Sequence, residues 1–196
     1  FVDKSAKLFF AAPQKDGKSQ PVKIAEDVNT INMAGGRYLL YRIKKKGVFL
    51  FNVTEQGNIA KKVLDETLAE NEGFSLEESR ISENGARIAA IYKSPTNYGK
   101  EFKIIIVETL SGKQTTLPFP FMSFKIGFLL TGLSGPLGQV FNKPELGGFS
   151  RDGNVLMITR IESNVVKSYE PIVDMFFYDL TSGKLYVTEG DPIFFG

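Results

Sequence analysis

The chain has 196 residues, none of them histidine, cysteine or tryptophan, and its 24 basic and 22 acidic residues leave a net charge of +2. These absences exclude a Ser-His-Asp triad, a Cys-His pair, a Cys/His zinc site and any disulfide. A charge this close to neutral gives no bulk pull toward nucleic acid or an acidic membrane, so neither is an expected partner.

Strand signals dominate from the first residues onward. Short runs rich in β-branched and aromatic residues are bounded by Gly, Asn, Asp and Ser. Such runs predict strands at Leu8–Ala12, Arg37–Ile43 and Val48–Val53, the last two joined by a Lys44-Lys45-Lys46-Gly47 turn. The spacing of Val63, Leu64 and Leu68 predicts one short helix over Lys61–Glu70, with a strand running into an acidic linker as its alternative. Further strands are predicted at Arg87–Tyr92, Phe102–Glu108, Val155–Arg160, Met175–Leu180 and Lys184–Thr188. The most apolar stretch, Phe121 to Leu133, is too short for a membrane-spanning helix, holds Lys125 and is interrupted by Gly127 and Gly132. A start on Phe1 rather than Met is expected of a processed chain or of a piece of a longer one.

The turns repeat. A small-polar, Gly, apolar-strand element reads Ala34-Gly35-Gly36-Arg37-Tyr38, then Asn84-Gly85-Ala86-Arg87-Ile88, then Asp152-Gly153-Asn154-Val155-Leu156. A second element ends an apolar strand on a Gly turn, at Gly57, Gly112 and Gly183, with an earlier copy at Gly17. Successive spacings are 40, 55 and 71 residues. The first matches a propeller blade of roughly 40–45 residues, and the later ones imply insertions. Asn-Gly or Asp-Gly supplies positive φ in a tight turn, so consecutive strands pair antiparallel. Such units bury their faces by stacking on one another.

The segments SENGARIAAIY…FKIIIVETLSGKQTTL and FSRDGNVLMITR…DMFFYDLTSGKLYVT resemble WD40-like β-propeller blades of the TolB and prolyl-oligopeptidase kind. The chain departs from the pattern in lacking a Trp-Asp pair, and in carrying Glu83 or Arg151 where a proline commonly precedes the turn. The resemblance implies an all-β, propeller-like array of about four antiparallel blades. These would form either a closed four-blade ring or part of a larger propeller. The TolB side of the resemblance implies a periplasmic or secreted setting. One domain over residues 1–196 is expected, with an apolar Gly/Pro-rich insertion at about 118–148.

That insertion supplies the candidate binding residues Phe119, Phe121, Phe124, Phe128, Leu133, Leu137 and Phe141, because apolar insertions on a rigid β scaffold often carry contacts. The alternative is that Met122 to Leu130 is a buried strand. Gly132-Leu133-Ser134-Gly135-Pro136 is not a nucleophile elbow, since Pro136 stands where Gly is needed. Asp65, Glu66, Glu70, Glu72, Glu77, Glu78 and Glu83 read as a solvated linker between blades, and no calcium loop is present. Asp152, Asp174, Asp179 and Glu108 are the acids available for glycosidase chemistry. Glu108 and Asp179 recur ahead of Ser-Gly-Lys turns, which suits turn hydrogen bonding better. Tyr38, Tyr41, Tyr92, Tyr98 and Tyr178 fit alternating strand faces better than a ligand groove.

No catalytic residue, metal ligand or cofactor is assigned, and the chain alone is not read as an enzyme. The expected function is a non-catalytic binding or scaffold module for a protein or peptide partner. The alternatives are the propeller portion of a prolyl-oligopeptidase-like hydrolase and, third, a carboxylate-based glycan-acting enzyme.

Overall fold

The computed structural model describes residues 2–11, 21–54, 60–68, 73–95, 102–117, 140–164 and 172–189, with the backbone alone at 140–143, 161–164, 172–174 and 188–189. Within these residues the regular structure is entirely β. The strands are β1 (Leu8–Phe10), β2 (Val22–Ala25), β3 (Val28–Ala34), β4 (Tyr38–Ile43), β5 (Gly47–Asn52), β6 (Lys61–Leu64) and β7 (Ser75–Ile81). They continue as β8 (Arg87–Lys93), β9 (Phe102–Glu108), β10 (Gln114–Leu117), β11 (Val140–Phe149), β12 (Val155–Asn164), β13 (Ile172–Asp179) and β14 (Lys184–Glu189).

Each sheet is an antiparallel meander in chain order. β1 and β2 make a two-stranded sheet I, and β3–β6, β7–β10 and β11–β14 make the four-stranded sheets II, III and IV. Hairpin turns set this order. Lys46 N donates to Ile43 O at 3.0 Å in the β4–β5 turn, where Lys45 takes a left-handed φ of 66°.

Among the described residues the core consists of three layers, one at each junction between successive sheets. Leu8, Ile24 and Ala25 of sheet I meet Val28, Leu39, Tyr41 and Ile43 of sheet II. Leu40, Val48 and Leu64 on the other face of sheet II meet Ile88, Ala90, Tyr92, Ile105 and Val107 of sheet III. Ala89, Ile91, Ile104 and Ile106 on the opposite face of sheet III meet Leu146, Leu156, Ile158, Phe176 and Tyr178 of sheet IV. The two-residue period of a strand sends neighbours to opposite faces, so a sheet covered on both sides needs an unbroken apolar run. Arg87–Lys93 and Phe102–Glu108 are such runs. Full burial of one Ile or Leu side chain contributes about 1.5–3 kcal/mol.

The structure corrects two expectations. Residues 61–64 are strand β6, the alternative to the expected helix, and β6 pairs with β5 through Val48↔Leu64 and Leu50↔Lys61. Val63, Leu64 and Leu68 still reach one layer, by way of a strand and a turn, and that shared destination produced the helix-like spacing. The acidic stretch is also not one linker, since Glu77 and Glu78 lie within β7. Among the described residues, no helix is long and apolar enough to cross a membrane.

Candidate functional site

The first strands of successive sheets meet one another, β3 against β7 and β7 against β11. β3 and β7 are rich in polar residues because each is the outermost member of its sheet's pairing order. Side chains cross both junctions. Arg42 on β4 pairs with both carboxylate oxygens of Glu66 and also donates to the carbonyls of Leu76, at 2.7 Å, and Glu77, at 3.4 Å. Asn32 Nδ2 donates to Ser79 O at 3.0 Å. Glu78 Oε2 accepts the Leu146 N–H at 3.0 Å, and Glu78 Oε1 accepts from Arg80 Nε at the same distance. Glu77 pairs with Lys93 at 3.2 Å.

Two cavities flank β7 at these junctions. One of about 280 Å³ lies between sheets III and IV, with Glu77, Glu78 and Glu145 beside an apolar wall of Ile91, Phe102 and Pro144. The other, of about 260 Å³, lies between sheets II and III, lined by Thr30, Asn32, Arg42, Ser79 and Arg80 among others. Together they form a polar groove with charges of both signs and an apolar wall at one end. Such a groove can take hydrogen bonds and charged side chains. It presents neither a nucleophile paired with a base nor, among the described residues, a metal-binding group of three acids.

Away from the groove, the repeated turns at one end of the sheets interlock. Asn84 Nδ2 donates to Asp152 O at 2.8 Å, and Arg87 Nη1 donates to Gly153 O and Asn154 Oδ1, each at 2.7 Å. Gly85 lies against the Tyr38 ring in the same way.

The repeated acids hold their own turns. Asp179 Oδ1 accepts from the backbone and hydroxyl of Thr181 at 2.8 and 2.6 Å, and Asp179 Oδ2 accepts from the Ser182 hydroxyl at 2.6 Å. Glu108 accepts from Ser111 Oγ at 2.9 Å, and Asn52 binds Thr54 in the corresponding turn. The hydrogen bonds from Ser182, followed by those from Thr181, hold the Asp179 carboxyl well below its usual range. The Ser150 hydroxyl does the same for Asp152, with help from Asn154. A depressed folded-state pKa adds stability that is complete above the ordinary carboxylate pKa of about 4. This stability is lost as pH falls through the lowered value. Asp179→Asn is therefore expected to leave the pH dependence of thermal melting unchanged between about pH 5 and 8 and to flatten its fall below about pH 4. Equal acid slopes in the two proteins would mean that Asp179 does not drive the change.

Among the described residues, Tyr41, Tyr92 and Tyr178 belong to the core. Tyr41 stacks on Phe49 with centroids 5.6 Å apart, and Tyr178 is buried among Leu156 and Ile158. Tyr92 donates its hydroxyl to Asp65 O at 2.7 Å. Burial pushes the Tyr92 phenol far above its usual value, and the nearby Asp65 and Glu66 add to the shift. It is therefore a fixed hydrogen-bond donor. Phe119, Phe121, Phe124, Phe128, Leu133, Leu137, Ser134 and Tyr98 lie outside the described residues. Phe141 is placed by its backbone on β11 opposite Ser163.

No protein-family model matches the chain, and no curated protein matches it. Among solved structures it is similar to prolyl oligopeptidase B from Galerina marginata, determined with a 25mer macrocyclization substrate and with a 35mer hydrolysis and macrocyclization substrate. The TM-scores are 0.54 and 0.52 at 14% and 15% identity, covering 92% of this chain and 22% of that one. It is similar as well to the tricorn protease, with a TM-score of 0.50 at 15% identity, covering 86% of this chain and 14% of that one. At these identities the likeness is one of fold.

The fold is a β-propeller. Sheets II, III and IV are blades of the propeller, and sheet I contributes two strands of another. Among the described residues, sheets I and IV share no strand, so no common strand closes a ring. β3, β7 and β11 are the inner strands, and the groove lies along them. The chain spans less than a quarter of either solved relative. Sequence reading missed the groove because most of its lining comes from β3, β7 and β11, strands with weak strand signals. In Ser75–Ile81 only Leu76 and Ile81 are apolar, five positions apart, so no two-residue alternation marks the strand.

Proposed function

We propose that this chain is a propeller module that binds a protein or peptide partner in the groove along its inner strands. The observation that carries this reading is the pair of adjoining cavities flanking β7, of about 280 and 260 Å³, lined by Glu77, Glu78, Arg80, Arg42 and Asn32. Concave sites that combine a few placed polar groups with an apolar wall are suited to orienting a ligand. Of the acids considered for glycan chemistry, Glu108, Asp152 and Asp179 are occupied in their turns, which favours binding over catalysis.

The test is selection of random displayed peptides on the purified chain, followed by fluorescence anisotropy on the winners. Peptides that use the groove are expected to bind at least about tenfold more weakly to Glu77→Lys/Arg80→Glu, a loss of about 1.4 kcal/mol. Winners that bind both proteins equally, or an absence of winners, would overturn the groove reading.

A second reading is favoured by the structural likeness to two peptidases. The chain would then be the propeller portion of a prolyl-oligopeptidase-like hydrolase whose catalytic part is not within these residues. Peptide hydrolysis by the full-length protein, lost when these blades are deleted and absent from the blades alone, would support it.

A further inference from the structure

We infer that Asn32 and Glu78 act as edge guards, keeping the inner strands from pairing with a second copy of the chain. β7 and β11 each end the pairing order of their sheet, so each has an outer backbone edge without a ladder, that of β7 being met by backbone at Ser75, which bridges Thr67. Such an edge is a template for strand addition. Here the preceding blade caps it. Arg42 and Asn32 of sheet II donate to the β7 carbonyls of Leu76, Glu77 and Ser79. Leu76 N donates to Glu66 O at 2.8 Å, which satisfies an edge donor as well. Glu78 of sheet III then accepts the Leu146 N–H of β11. Each cap uses a group that an incoming strand would need, and each comes from the blade before. An incoming strand would have to displace charged or amide side chains that are already hydrogen-bonded, one of which also joins Arg80.

The experiment uses the full chain at rising concentration, read by sedimentation velocity and by amide exchange at residues 76–80 and 145–146. Asn32→Ala/Glu78→Ala is expected to self-associate at a concentration at least tenfold below that of the parent, with new protection on those amides. Glu78→Gln retains an acceptor and is expected to behave as the parent. Arg87→Ala removes hydrogen bonds between sheets III and IV but leaves both edges capped, so it controls for simple loosening of the blades. If the double variant does not fold, Asn32→Ala alone opens the β7 edge at Ser79 and is read in the same way. A folded variant with open edges that associates no more readily than the parent would overturn the inference. So would association of Arg87→Ala to the same degree.

Discussion

Replacing Arg42 with alanine is expected to lower the unfolding free energy by about 3 kcal/mol. The guanidinium does more than pair with Glu66. It binds both carboxylate oxygens and two β7 carbonyls, and the two side chains are 19% and 17% exposed. Truncation strands a largely buried carboxylate and leaves the Leu76 and Glu77 carbonyls without this donor. An exposed surface pair would contribute only about 0–1 kcal/mol. Urea unfolding of the parent, Arg42→Ala, Glu66→Ala and the double variant measures the difference. The double variant is expected to be less destabilised than the sum of the singles, by about 1–2 kcal/mol. A loss below 1 kcal/mol for Arg42→Ala, or strict additivity, would show that the clamp holds nothing.

Gly85→Ala is expected to cost a similar amount, about 3 kcal/mol, from two sources. Gly85 has φ of 71°, a left-handed conformation that penalises any Cβ. A Cβ there would also overlap the Tyr38 ring, which belongs to the preceding blade. The ring would have to swing away and disturb the junction between sheets II and III. The two costs separate in a cycle with Tyr38→Ala. The backbone share, about 1–2 kcal/mol, should persist when the ring is gone, while the steric share should vanish. If Tyr38→Ala leaves the full penalty in place, the ring contact is irrelevant.

The blade architecture was legible because repetition and burial leave strong traces. Ala34-Gly35, Asn84-Gly85 and Asp152-Gly153 mark corresponding turns, and the apolar runs at β8 and β9 follow from layers on both sides. The resemblance drawn from those segments agrees with the structural likeness. The turn role of Glu108 and Asp179 was legible for the same reason, since repeated acids answer to repeated geometry. The groove was not legible. β3 and β7 mix polar and apolar residues at the edges of their sheets, so composition does not set them apart from loops. β6 was obscured by length, since four residues are too few to reveal a period of two. The capping hydrogen bonds join residues far apart in sequence, such as Glu78 and Leu146, and no local pattern announces them.

Sheet III is a wall shared by two rooms. Ile88 and Ala89 are adjacent in the chain, yet Ile88 packs in the layer with Leu40 and Ala89 in the layer with Leu156. Covalent neighbours are therefore weakly related in energy, while residues from different blades are close partners. Compensating changes belong between blades, across a layer, and seldom between successive residues of one strand. A chain built this way can alter one junction and leave the next as it was.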